Sequence, residues 1–353
     1  MEPIRCMLMR GGTSKGAYFL ADDLPDDPAD RDQLLLRVMG TPDPRQIDGI
    51  GGADPLTSKV AVISVSQEPD IDVDYLFLQV GVEKPTVTDR QNCGNILAGV
   101  GPFAVERGLV RADHDQTEVR IRMINSDSVA VARFATPGGV VEYAGNTAIS
   151  GVPGTAAPVV LDFADTEGSA GHGLWPTGNL VDVIEQTKIT CVDNGMPVVL
   201  ARAVDLGLTG YESASVLAAD DGLRDRLQSL RLGAARIMGL GDVSASSVPK
   251  ITLLAPPADG GTICTRTFIP LRPHTSIGVL GGVSVATALV VDGTVGHDLA
   301  VLTPGISRID LEHPSGHFQV EVEVDDSDPP PRLRRSGVIR TARRLFDGEV
   351  FVR

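Results

Sequence analysis

A chain of 353 residues, 42% hydrophobic and 22% charged, is large enough for two ordinary domains with real cores, and its 39 glycines and many valines favour short strands and tight turns over helical bundles. A formal net charge of -15 argues against nucleic acid or an anionic membrane as the main partner, while leaving room for a small basic pocket that takes an anionic substrate. No apolar run reaches the ~18 residues of a membrane span, and Met1-Glu2-Pro3-Ile4-Arg5 lacks a signal-peptide layout, so a cytoplasmic protein is expected.

The chain opens with an extended segment at 4–9, a glycine-rich loop from Arg10 to Gly16 and a strand at 17–20. A helix is expected over 30–39, with Leu34, Leu35, Val38 and Met39 on one face. A second glycine-rich loop at 48–54 leads through Thr57-Ser58-Lys59 into a strand at 60–65, and another strand follows at 73–82. Gln91-Asn92-Cys93-Gly94-Asn95 then introduces an apolar stripe of Ile96, Leu97, Val100, Phe103, Ala104 and Leu109, which reads as one helix stopped by Gly108. Strands are expected at 119–124, 129–134 and 140–143.

After a loop-rich middle, the second half repeats the first in outline. Strands at 189–192 and 198–200 flank Asp193-Asn194-Gly195-Met196-Pro197, a helix is expected over 219–238, and strands over 250–255 and 261–269. A glycine turn at 273–278 then opens an apolar helix at 279–289, and a Pro/Arg-rich linker at 326–335 precedes a last strand at 337–341. The expected division is 1–183, completed by 336–353, and 184–335, with the two halves facing each other across a cleft.

Four cysteines, Cys6, Cys93, Cys191 and Cys264, lie far apart with no metal-ligand spacing, so neither a disulfide framework nor a metal site is expected. Cys93 sits where a helix begins, a position that lowers a thiol pKa and gathers anions on backbone N–H groups. Lys59 stands at the mouth of a buried strand, where desolvation turns a lysine into a usable base; a solvated edge lysine is the plainer alternative. The loop of Arg10, Thr13, Ser14 and Lys15 has the donors for a carboxylate but lacks the nucleotide phosphate-loop pattern; an ordinary polar turn is the alternative. Asn194, Arg266, Arg272, His274 and the turn His313-Pro314-Ser315-Gly316 are each readable as turn or surface residues. No nucleophile elbow, HExxH or dinucleotide fingerprint is present.

Asn92-Cys93-Gly94-Asn95 resembles the diaminopimelate epimerase-like superfamily. Met9-Arg10-Gly11-Gly12-Thr13-Ser14-Lys15-Gly16, Asp48-Gly49-Ile50-Gly51-Gly52, Thr57-Ser58-Lys59-Val60-Ala61 and Asp193-Asn194-Gly195-Met196-Pro197 narrow the resemblance to the 2-methylaconitate isomerase (PrpF) family along nearly the whole chain. Gln46 to Ala53 and Gly210-Tyr211-Glu212 are most similar to its 4-oxalomesaconate tautomerase branch, which serves gallate breakdown. The resemblance implies an α+β fold of two pseudo-symmetric domains, each a curved, mostly antiparallel sheet around a central helix, with the active site in the interdomain cleft. It also implies cofactor-independent proton transfer at carbon. The superfamily's second cysteine is missing, because the matching stretch is Val279-Leu280-Gly281-Gly282; two-cysteine racemisation is therefore disfavoured, and a lysine matching Lys59 is expected to work with Cys93.

The expected activity is tautomerisation of an unsaturated tricarboxylate, 4-oxalomesaconate first and 2-methylaconitate second, with a non-catalytic polycarboxylate binder as the alternative of another class. Lys59 and Cys93 are the expected proton-transfer pair. The expected carboxylate donors are Arg10, Thr13, Ser14, Lys15, Asn92, Gly94 and Asn95, with Asn194, Arg266, Ser276, Ser315 and Gly316 from the second half. No cofactor, metal, nucleic acid or membrane is expected; a homodimer is compatible with the sequence, which points to no interface.

Overall fold

The computed structural model describes residues 3–89, 93–163, 166–244, 246–303, 308–325, 327 and 330–352. The chain divides into two compact units, Met1–Ala164 with Ile339–Arg353, and Asp165–Val338. The first division falls about twenty residues before the expected one. The segment from 166 onward is tied to the second unit: Gly168 N donates to Asp193 O at 2.8 Å, and Trp175 Nε1 to Pro331 O at 2.8 Å.

The first unit carries β1 (Pro3–Gly11), β2 (Ser14–Leu20), α1 (Pro28–Met39), β3 (Lys59–Val65), β4 (Val73–Val80), β5 (Val87–Thr88), α2 (Gly94–Leu97), α3 (Val100–Glu106), β6 (Gln116–Met123), β7 (Ser128–Ala135) and β8 (Pro158–Phe163). The second carries β9 (Asp182–Ile184), β10 (Thr187–Asp193), β11 (Pro197–Arg202), α4 (Ala214–Ala218), α5 (Asp221–Ile237), β12 (Lys250–Ala255), β13 (Ile263–Ile269), β14 (Arg272–Pro273), α6 (Val279–Leu289), β15 (Arg308–His313) and β16 (Gly316–Asp325). The long β17 (Arg332–Phe351) gives its first residues to the second unit and the rest to the first.

Strand directions show that the two units share one topology. In the first, β1–β2 is antiparallel, β2–β3 parallel, β3–β4 antiparallel, β4–β6 parallel, and β6–β7 and β7–β8 antiparallel. In the second, β10–β11, β11–β12, β12–β13, β13–β15, β15–β16 and β16–β17 repeat that order of directions. The repeat extends to detail: the short β5 pairs with β4 as the short β14 pairs with β13. In the first unit β17 pairs with both β1 and β8, closing the row of strands.

Each sheet is covered on both faces, which explains why strands such as 60–63 are apolar without alternation. Outside the first sheet, α1 lays Leu35, Leu36, Val38 and Met39 on Ala17, Phe19, Val60, Val62 and Leu78; each such burial contributes about 1.5–3 kcal/mol. Asp27 caps this helix at Ala29 N and Asp30 N, Pro28 occupies its first turn, and Gly40 ends it at φ 77°. The α5 helix covers the second sheet with Leu223, Leu227, Leu230 and Ala234. Its buried Arg231 donates to Val243 O, Ser246 O and Val248 O, holding the segment that leads into β12. Inside the sheets run α2–α3 and α6.

Four local expectations change. The loop at 10–16 is a tight hairpin: Gly11 pairs with Ser14 across Gly12-Thr13 alone, and Arg10 pairs with Lys15. The single helix at 95–109 breaks between α2 and α3, because Pro102 cannot donate to the carbonyl four residues back and a side chain at Gly99 would meet Tyr18 Oη at 2.5 Å. Residues 140–143 form no strand: Gly138 and Gly139 at φ 66° and 82° lead the chain away, and β8 pairs with β7 instead. Residues 332–335 belong to β17 rather than to a linker. Among the described residues no helix is long and apolar enough to cross a membrane.

Gly16 is where the first sheet and its inner helix meet most closely: an added Cβ would lie 2.6 Å from Lys59 O and 3.1 Å from Ile96 Cδ1. Gly16→Ala should cost about 2–3 kcal/mol. At Gly281 in α6 an added Cβ meets nothing within 4 Å, so Gly281→Ala should gain about 0.5–1 kcal/mol through helix propensity. Urea unfolding of both variants measures the contrast.

Candidate active site

Strand alternation sorts the first sheet's side chains. Val60 and Val62 face α1, so Lys59, Ala61 and Ile63 face inward, toward α2 and α3. Directly opposite them on β4 stand Gln79, Phe77 and Tyr75. Lys59 is 6% exposed, and its Nζ donates to Gln79 Oε1 at 2.7 Å and lies 5.0 Å from the centre of the Phe77 ring. Gln79 is itself held, donating through Nε2 to Pro55 O, Ser58 O and Val80 O. No carboxylate among the described residues pairs with Lys59. The lysine nitrogen is thus buried and held by an amide oxygen and an aromatic face.

Cys93 is the N-cap of α2 and makes no side-chain cap bond. It alone of the four cysteines is only partly buried. Burial pushes the Cys6 and Cys191 thiols up to about 12 and raises that of Cys264, so those three are inert core residues. Two fully buried tyrosines flank the cysteine's turn: Tyr18 Oη donates to Ile96 O at 2.5 Å, and Tyr75 Oη to Cys93 O at 3.5 Å. Burial first, and the nearby Cys93 charge second, hold both phenols neutral. The α2 helix is only four residues long, so the expected help from a helix dipole shrinks to the local N–H groups of one turn.

The hairpin supplies the remaining walls. Asn95 Nδ2 donates to Thr13 Oγ1 at 3.0 Å. Ser14 is 2% exposed, and its Oγ has no hydrogen-bond partner. An added Cβ at Gly94 meets nothing within 4 Å, so a ligand atom can approach the backbone there. The structure therefore brings Thr13, Ser14, Cys93, Gly94, Asn95 and Lys59 to the inward side of the first unit. Asn92 lies outside the described residues.

Arg10 and Lys15 go elsewhere. Their neighbours Gly11 and Ser14 face α2, so alternation sends both cations to the outer face. In the second unit Asn194 is a buried strut, with N on Ser284 Oγ, Nδ2 on Thr287 Oγ1 and Ser336 Oγ, and Oδ1 accepting from Thr166. Arg266, 8% exposed, donates through Nε to Glu212 O and through Nη1 to Thr265 O and Cys264 Sγ. Ser276 and Ser315 converge on one imidazole: Ser276 Oγ is 3.2 Å from His313 Nε2, and Ser315 N donates to His313 Nδ1. Gly316, at φ 136°, closes that turn opposite His313. Where α2 has Cys93 as N-cap, α6 has Gly278, so the second thiol is absent from the repeat.

Sequence reasoning missed Gln79, Tyr18 and Tyr75, and read His313 only as part of an ordinary turn. The first three share one signal, their period-two spacing on strands whose other face is wholly apolar.

The PrpF protein family description matches residues 1–353. The chain is 56% identical to a "(4E)-oxalomesaconate Delta-isomerase" of Novosphingobium sp. (strain KA1) over 100% of this chain and 98% of that one. It is also 56% identical to a "4-oxalomesaconate tautomerase" of Pseudomonas putida over 99% and 96%. A crystal structure of methylitaconate-delta-isomerase superposes with a TM-score of 0.86 at 34% identity, covering 99% of this chain and 96% of that one.

His313 sets a pH dependence. Burial pushes its imidazole down to about 4, against about 6.5 in the unfolded chain. The unfolded state takes up the proton first, so this contribution is full above pH 6.5 and is lost as pH falls toward 4. Denaturation at pH 7 and 4.5 should show wild type losing about 2 kcal/mol more than His313→Gln; equal losses would clear His313 of the effect.

Proposed function

The chain belongs to the PrpF protein family, and from that membership we propose that it isomerises an unsaturated tricarboxylate of the 4-oxalomesaconate class by moving a proton. The observation that carries this reading is the presence, on the inward side of one unit, of a half-buried cysteine and of a buried lysine with no carboxylate partner among the described residues. The two relatives at 56% identity favour oxalomesaconate over 2-methylaconitate, whose isomerase in Shewanella oneidensis is 36% identical.

The chemistry needs one group to accept a proton from carbon and another to return one. The acidic C–H lies between a carbonyl and a conjugated double bond. When it breaks, its electron pair spreads into a dienolate. Protonation on oxygen then yields the enol; protonation on the far carbon yields the shifted double bond. Cys93 Sγ and Lys59 Nζ are the exchanging groups: whichever is deprotonated takes the carbon's proton, and the other, protonated, returns one. The N–H groups of the α2 turn, with Thr13, Ser14 and Asn95, hold carboxylate and enolate oxygens, and the unpaired Ser14 Oγ is poised to donate to one of them. Asn92 belongs to the same set. The fuller architecture of this proposal is the diaminopimelate epimerase-like one; Asn194, Arg266, Ser276, Ser315 and Gly316 are given no direct contact with substrate. The reading places the reaction in the cytoplasm, a compartment in which four unpaired thiols persist.

Cys93→Ala and Lys59→Ala should each lower turnover of 4-oxalomesaconate by about 10²–10⁴-fold without loss of folding, and ultraviolet absorbance follows the reaction. Solvent deuterium uptake into the substrate, read by NMR, should fall in parallel. Near-normal turnover in both variants sinks the proposal. Gly94→Ala should fold normally yet raise KM at least tenfold, because its methyl occupies the space over the α2 turn.

A further inference from the structure

Lys15, Arg10 and Arg343 are register partners on the adjacent strands β2, β1 and β17. Opposite residues in an antiparallel ladder sit about 4.5–5.5 Å apart and point to the same face. Three cations therefore stand in a row on the outside of the first unit, in a protein of net charge -15. Like charges in that arrangement repel, and among the described residues no carboxylate pairs with any of the three. The nearby acids are engaged elsewhere: Glu106 pairs with Arg344, and Asp347 with Arg107. Arg10 uses Nη1 alone, donating to Gly12 O, Thr341 O and Thr341 Oγ1.

The row opens into a cavity of about 510 Å³ within the first unit. The loop at 143–156 walls it on the far side, closed by paired backbone bonds between Thr147 and Ala156, and Thr147, Thr155 and Thr341 add hydroxyls. Neither Lys59, Cys93, Tyr18 nor Tyr75 lines it, in keeping with their place on the opposite face of the sheet.

We propose that this outer cavity is a second ligand site, distinct from the isomerase site, that binds a small multivalent anion through Lys15, Arg10 and Arg343. Bidentate guanidinium contacts and an ammonium suit polycarboxylates and phosphate-bearing molecules alike. Burial first, and the Arg343 charge second, hold the Arg10 guanidinium pKa below its ordinary value, and an arriving anion relieves the second of these.

The test is calorimetric titration of the full chain with citrate and, separately, with pyrophosphate. Binding of at least one is expected. It should weaken at least tenfold in Lys15→Gln and in Arg343→Gln and persist in Cys93→Ala/Lys59→Ala, while Arg343→Gln keeps the wild-type KM for the isomerised substrate. Citrate binding alone identifies a polycarboxylate site; pyrophosphate binding alone identifies a phosphate site. The proposal is overturned if neither anion binds at millimolar concentration. It is equally overturned if the lysine and arginine variants bind as wild type, if the double variant loses binding, or if Arg343→Gln raises that KM.

Discussion

Everything in the first unit depends on how closely the β1–β2 hairpin and the α2 turn approach each other. A side chain at Gly11 would lie 2.3 Å from Asn95 O, and one at Gly12, which sits at φ 51°, would lie 2.2 Å from Asn95 Oδ1. Only glycine permits that distance. Tyr18 locks it from the hairpin side by donating to Ile96 O. The orientation of Cys93, the open approach over Gly94 and the reach of Asn95 to Thr13 all follow from this contact. The glycines of Arg10-Gly11-Gly12-Thr13-Ser14-Lys15-Gly16 thus serve packing first, and chemistry through packing.

A sheet buried on both faces does a second job: it separates charges. One residue's step along β1 or β2 changes the face, so Ser14 and Lys15 are neighbours in sequence that serve different spaces. The inward face collects a tightly hydrogen-bonded set, Lys59 on Gln79 beside two un-ionised phenols. The outward face carries the row of Lys15, Arg10 and Arg343. The low polarity around Lys59 strengthens each remaining hydrogen bond, which suits proton transfer better than an open, solvated cluster would.

The second unit has the same strand order with a different helix start. Gly278 stands at the helix start where the first unit has Cys93. Asn194, Ser284, Thr287 and Ser336 form a closed polar network at its centre, with every Asn194 side-chain donor satisfied. A buried network of that kind specifies one packing of α6 against β10, and any member left unpaired would be costly. Topology is duplicated in this chain, and the cysteine at the helix start is not.

Much of this was legible in the residues. Period-two and period-3.6 patterns locate most strands and helices, and the motifs around Lys59 and Cys93 single out the proposed reactive pair, because each depends on neighbours within a few positions. What failed had distant causes. The break at Ala98-Gly99 needs the Tyr18 hydroxyl from β2, the loss of a strand at 140–143 needs β8 beside β7, and the roles of Asn194 and Arg266 need partners tens of residues away. The sequence by itself determined which side chains have the chemistry to move a proton. Only the tertiary structure decided which side chains share a face, since register between strands, and not spacing along one, sets Lys59 opposite Gln79 and Arg10 between Lys15 and Arg343.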